Sequence, residues 1–203
     1  GMRADMTPQA ARIDAHPLRR DAPTRLCYMG SVLRTRADGF GGSRSPMQIG
    51  AELFGHAGIE SDTEVLELML ETLSLLQISD VHVDLGHVGI FRGLARDAGL
   101  SSAVENDLFD ALQRKAATEI DEILVTHVSD DGQRRRLAAL AQLNGGDDVF
   151  ARARTQLAGA GEAVLAALDN LEAIAALLKR RAGDVMLNYD LAELSGYKYQ
   201  TGM

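Results

Sequence analysis

The chain has 203 residues, 46% of them hydrophobic, which is enough to bury a substantial core. Its 21 Lys and Arg against 29 Asp and Glu give a formal net charge of −8, which argues against nonspecific nucleic-acid binding through clustered cations. No apolar run approaches the ~20 residues of a membrane helix and no signal peptide opens the chain, so a cytoplasmic protein without a membrane partner is expected.

The chain opens on GMRADMTPQAARIDAH and closes on SGYKYQTGM, both of which read as the interior of folded segments. A piece of a longer protein is therefore expected. RLCYMGSVLRT (Arg25–Thr35) and PMQIGAELFGH (Pro46–His56) are rich in β-formers and bounded by turn residues, as two antiparallel strands would be. RADGFGGSRS between them carries three glycines and no periodicity, the mark of a mobile loop. Cys27 is the only cysteine, so no internal disulfide can form; between Leu26 and Tyr28 it reads as a small buried core residue.

A helix follows. Ser61 and Glu64 have capping-box spacing, and Val65, Leu66, Met69, Leu73 and Leu76 recur near the helical period. VHVDLGHVGIF (Val81–Phe91) reads as a strand running into a helix, and Ser102 with Glu105 repeats the capping box. From about Leu100 to Arg181 alanine and leucine dominate and glycines punctuate some five helices. The run Arg134–Arg136 within them reads as a solvated helix face. Strand character returns with DVMLNYDLAEL and YKYQTG, leaving 100–182 as a helical insertion between sheet segments 1–99 and 183–203.

Gln48 and Glu52 interrupt the apolar second strand. Their even separation puts both on one face. That face meets either a ligand or solvent; in the second case Met47, Ile49 and Leu53 supply the buried side. His56 and His87 lack metal-ligand partner spacing, so structural or turn-forming roles are expected and no metal. Gly86 and Gly89 around His87 do not make a phosphate loop.

The blocks RADMTPQAARI, RLCYMGSVLR…SRSPMQIGAELFG and GYKYQTG, in this order with a helical insertion between, resemble class II aminoacyl-tRNA synthetases in their histidyl version. The resemblance implies an α+β fold: an antiparallel sheet flanked by helices and carrying an α-helical insertion. It also implies a histidine pocket, with Asp5, Thr7 and Gln48 at the ammonium and Glu52 at the imidazole. Histidine offers N–H donors, so acceptors suit it. Arg34 matches an arginine that meets the α-phosphate and carboxylate, and its alternative is an exposed strand-end residue. Tyr197 and Tyr199 stand as ligand wall or as sheet packing.

The departures point to loss of catalysis. Arg36 stands where a synthetase has glutamate, Pro46 where an aromatic stacks on adenine, Ser195 where an arginine assists adenylate formation, and Lys198 where an acid is expected. Without that arginine the transition-state charge goes unstabilised. The whole pattern most resembles the regulatory subunit of short-form ATP phosphoribosyltransferase, a histidyl-tRNA synthetase paralogue. That resemblance implies no catalytic residue or cofactor, self-association, and assembly with a short catalytic phosphoribosyltransferase subunit under feedback by histidine. The alternative is the catalytic core of a histidyl-tRNA synthetase, which would activate histidine with ATP.

Overall fold

A computed structural model describes residues 2–37, 39, 42–183 and 185–194. The positions Ser195, Tyr197, Lys198 and Tyr199 lie outside the described residues, as do three positions of the glycine-bearing loop. The chain forms two compact units, 1–69 and 70–203.

In the first unit, α1 (Thr7–Ile13) has proline in its opening turn, where the missing N–H costs nothing. It leads through a π-helical turn at Asp14–Leu18 to two antiparallel strands. These are β1 (Thr24–Ser31) and β2 (Met47–Phe54), paired Leu26 to Glu52, Tyr28 to Gly50 and Gly30 to Gln48. Both are shorter than the sequence suggests, although Val32 N–H still bonds Pro46 O at 3.0 Å and Arg34 N–H bonds Arg44 O at 2.9 Å.

Burial along β1 alternates, with Thr24, Leu26, Tyr28 and Gly30 on the more covered face. Cys27 falls on the other face and is exposed, which corrects its reading as a core residue. Met29, Met47 and Ile49 share that outer face and are 68%, 67% and 71% exposed. The even period of the strand forces this outcome once the polar pair and Tyr28 take the inner side.

The helix α2 (Ile59–Leu75) starts two residues before the expected cap. Ser61 N–H already bonds Gly58 O at 3.0 Å, so Ser61 sits within the first turn and Glu64 is paired with Arg25 instead. His56 organises this start: its Nδ1 accepts Gly58 N–H at 3.2 Å and lies 2.6 Å from Ser61 Oγ. The apolar stripe has the helical period but is not buried; Val65, Met69 and Leu76 are all exposed.

The second unit holds the core. The strand β3 (His82–Leu85) runs into α3 (Val88–Asp97), capped by His87, whose Nδ1 accepts Gly89 N–H at 3.0 Å. Five helices in all occupy the alanine- and leucine-rich region: α4 (Ser102–Gln113), α5 (Ala117–His127), α6 (Asp131–Ala139), α7 (Asp148–Gln156) and α8 (Glu162–Ala182). The cap of α4 is Ser101, accepting from Val104 N–H, one residue ahead of the Ser102 expected from spacing. Leu108, Leu112, Leu137, Leu168, Leu171 and Ile174 are buried at 0% exposure.

The pair Asn144–Gly145 (β4) and β5 (Met186–Asp190) complete a sheet of order β3-β5-β4, parallel between β3 and β5 and antiparallel between β4 and β5. Tyr189 fixes β5. Its ring is fully buried edge-on to Phe150 at 4.6 Å, and its hydroxyl donates to Asp147 at 3.0 Å. The arginine run is only partly solvated: Arg134 and Arg136 donate to the Val128 and Ala158 carbonyls near the ends of α5 and α7, while Arg135 is exposed. Cations there complement the helix dipole and unpaired carbonyls. Among the described residues no helix is long and apolar enough to cross a membrane.

Candidate ligand-binding site

The segment Arg3–Thr7 crosses the inner face of the β1–β2 ribbon. Leu33 N–H bonds Arg3 O at 2.8 Å, and Arg3 Nε reaches Ser31 O at 3.0 Å. Farther along, Gln48 Oε1 accepts Met6 N–H at 2.9 Å while its Nε2 donates to Asp5 Oδ1 at 2.8 Å. The same Asp5 oxygen accepts Thr7 N–H at 3.1 Å. These donors hold the Asp5 carboxyl below its ordinary pKa, the Gln48 amide contributing most.

At the first residue of α1, Thr7 Oγ1 donates to Glu52 Oε1 at 2.8 Å, and Tyr28 OH donates to the same oxygen at 3.1 Å. Burial pushes the Tyr28 hydroxyl up, and the Glu52 carboxylate adds to it against the Thr7 bond. Tyr28 therefore stays a neutral donor at neutral pH.

The structure thus brings together Asp5, Thr7, Gln48 and Glu52, and adds Tyr28, which the motif comparison overlooked. Strand alternation could have found it: Tyr28 faces the same way as Leu26 and Gly30, opposite Gly50 between the polar pair. Gln48 and Glu52 lie on the covered face while Met47 and Ile49 are exposed, the reverse of a solvated polar face. Arg34 lies three residues past β1 and is exposed. Arg36 is likewise exposed. Tyr197 and Tyr199 are outside the described residues.

Chemically, the site is a set of acceptors. Asp5 takes its Gln48 and Thr7 amide donors on Oδ1, and Glu52 takes its Thr7 and Tyr28 hydroxyl donors on Oε1. Two carboxylates tied to one face of a two-stranded ribbon suit a ligand with two N–H donor groups. Among the described residues no three His, Cys, Asp or Glu side chains gather in a way that could hold a metal ion.

Comparisons with known proteins agree with this architecture. Residues 1–203 match the family model described as histidyl-tRNA synthetase. The chain is 57% identical over 202 residues to the ATP phosphoribosyltransferase regulatory subunit of Thioalkalivibrio sulfidiphilus, covering 100% of this chain and 51% of that protein. The protein of that name from Pseudomonas putida F1 is 56% identical over 203 residues with the same coverage. The chain thus spans about half the length of the curated relatives it matches.

Among solved structures, an ATP phosphoribosyltransferase regulatory subunit/histidyl-tRNA synthetase from Bacillus halodurans C superimposes with a TM-score of 0.85 at 27% identity. That match covers 98% of this chain and 52% of the other. The ATP phosphoribosyl transferase (HisG:HisZ) complex from Thermotoga maritima has the same fold, with a TM-score of 0.73 at 17% identity over 100% of this chain and 69% of its own. The expected α+β, class II synthetase-type fold is therefore found. The chain belongs to the histidyl-tRNA synthetase family.

Proposed function

We propose that this chain is a non-catalytic regulatory component of an ATP phosphoribosyltransferase, working in the cytoplasm with a short catalytic subunit. In this reading the Asp5–Gln48–Glu52 face senses histidine. Residues 1–99 and 183–203 would form one class II core interrupted by 100–182. The pairing of β3 with β5 across that interval supports this division.

The observation that carries the reading is an acceptor network kept while the charge-handling positions of catalysis are not. Asp5, Thr7, Gln48 and Glu52 are linked as a donor-rich ligand requires, whereas Arg36, Pro46 and Ser195 replace residues that handle ATP in the resembling synthetases. Binding a cation-bearing amino acid needs only the first set, and forming an adenylate needs both. The relatives at 55–57% identity carry the regulatory name along the whole of this chain.

Adding the chain to a short phosphoribosyltransferase subunit tests the proposal. Activation of phosphoribosyl transfer, diminished by histidine, is expected, with histidine-dependent exchange of labelled pyrophosphate into ATP at background. Exchange above background would instead make the chain a synthetase core.

A further inference from the structure

We infer that Tyr28, seated over Gly50, is a positioning residue that aims the Glu52 carboxylate at a ring N–H of the ligand. The inference rests on the histidine-pocket reading above and deepens it.

Three oxygens meet at this point. Glu52 Oε1 lies 2.8 Å from Thr7 Oγ1 and 3.1 Å from Tyr28 OH, and the two hydroxyls are 3.1 Å apart. Only two protons are available to them. Both are best spent on the carboxylate, since hydrogen bonds to an ionised acceptor are the stronger kind. Two donors converging from different elements, one from α1 and one from β1, fix the position and the plane of the carboxylate. A glutamate on an open strand face would otherwise sample several rotamers. Both hydroxyls are spent on Oε1, which leaves Oε2 as the acceptor for a ligand.

Gly50 makes the arrangement possible. It is the cross-strand partner of Tyr28, and a Cβ there would stand 2.5 Å from both Cζ and OH of the tyrosine. The tip of the ring therefore occupies the Cβ space of the glycine between Gln48 and Glu52, which lets its hydroxyl reach the carboxylate. A site whose acceptor is fixed by two donors distinguishes ligands by whether they present an N–H there, because a ligand that covers the carboxylate without donating to it strips water from an acceptor and returns nothing. Imidazole with a free N–H fits; the same ring blocked by a methyl group does not.

Calorimetric titration of the 203-residue chain with histidine and with ring-N-methylated histidine tests this on wild type, Tyr28→Phe, Thr7→Val and Glu52→Gln. Tyr28→Phe keeps the ring over Gly50 and removes only the donor. It is expected to weaken histidine binding about tenfold while leaving the methylated ligand unchanged, so the preference between them narrows. Thr7→Val removes the other donor and should act in the same direction. Glu52→Gln should abolish the preference altogether. If Glu52→Gln loses histidine but Tyr28→Phe and Thr7→Val bind both ligands as wild type does, the positioning role is wrong and the pocket stands. If wild type binds no histidine, or Glu52→Gln binds it unchanged, the pocket reading falls and this inference with it.

Discussion

Tyr28 and Gly50 face each other across the β1–β2 ladder, and the tyrosine ring occupies the space that a Cβ at position 50 would need. Gly50→Ala should therefore cost about 1–3 kcal/mol of stability through overpacking. In a Tyr28→Ala background the obstacle is gone, and the same change should be near neutral. A double-mutant cycle by urea denaturation measures the coupling. Additive effects would mean the ring does not occupy the space over Gly50.

The outer face of the same ribbon carries Cys27, Met29, Met47 and Ile49, with the last three more than two-thirds exposed. A thiol reagent should label Cys27 in the native chain at a rate close to that of the unfolded chain. The apolar side chains around it should drive concentration-dependent association. Met29→Lys with Ile49→Lys is expected to reduce association in light scattering with little loss of stability, since neither residue is buried. Slow native labelling at the lowest concentrations would count against an open face.

Stability should be unevenly shared. The twelve largest fully buried side chains all belong to the second unit, while Ala10 and Val32 are the buried apolar residues of the first among those described. A two-stranded ribbon with so little burial is marginal. Native-state hydrogen exchange should find β1 and β2 amides poorly protected and α8 amides protected to the global limit. Leu171→Ala, at a site of 0% exposure, should cost ~2–5 kcal/mol, and Met29→Ala ~0.5 kcal/mol or less. Equal protection in both units would contradict this.

Alkaline pH offers a separate handle on the second unit. Burial raises the Tyr189 hydroxyl well above its ordinary range, with the Asp147 carboxylate adding to the effect. A raised pKa in the folded state means folding favours the protonated phenol. Its stability contribution is thus complete below the unfolded value, ~10, and is lost as pH rises beyond it. Wild type should lose stability above pH ~10 more steeply than Tyr189→Phe in thermal melts, once other tyrosines are allowed for. Parallel curves would remove Tyr189 as the cause.

Much of this was legible in the residues. β-formers between turn residues located β2, and alternation put Gln48 and Glu52 on one face while leaving open whether it was covered; the VHVDLGHVGIF pattern located β3 and α3. What failed has physical reasons. The Ser61–Glu64 spacing fits a capping box, but His56 and Gly58 start the helix earlier and Arg25 draws Glu64 away. The stripe on α2 has the right period, but period records only which residues share a face and not whether anything covers it. The apolar sequence neighbours of Cys27 suggest burial, whereas its face of the strand decides its exposure. Tyr28 acquires its role only when α1 brings Thr7 beside it, a contact across 21 positions.

Gln48 makes the last prediction because its amide serves two partners with opposite needs. The carbonyl oxygen accepts Met6 N–H and the amide nitrogen donates to Asp5 Oδ1, tying the Arg3–Thr7 segment to β2. Gln48→Glu keeps the acceptor, loses the donor and places a like charge beside Asp5. The Asp5 carboxyl is held low chiefly by that donor, so in Gln48→Glu its titration should move upward, with the two carboxyls titrating as a coupled pair. In wild type a depressed carboxyl contributes stability that is present above the unfolded value, ~4, and lost as pH falls through the folded one. The variant forfeits that contribution at neutral pH and regains the contact on acidification, when one carboxyl protonates and can donate to the other. Carbon-detected NMR of labelled carboxyls should therefore find a higher Asp5 midpoint. Amide exchange at residues 3–7 should be faster than wild type at pH 7 and closer to it near pH 4. An unshifted Asp5 midpoint would mean that the Gln48 amide does not hold the segment against the strand.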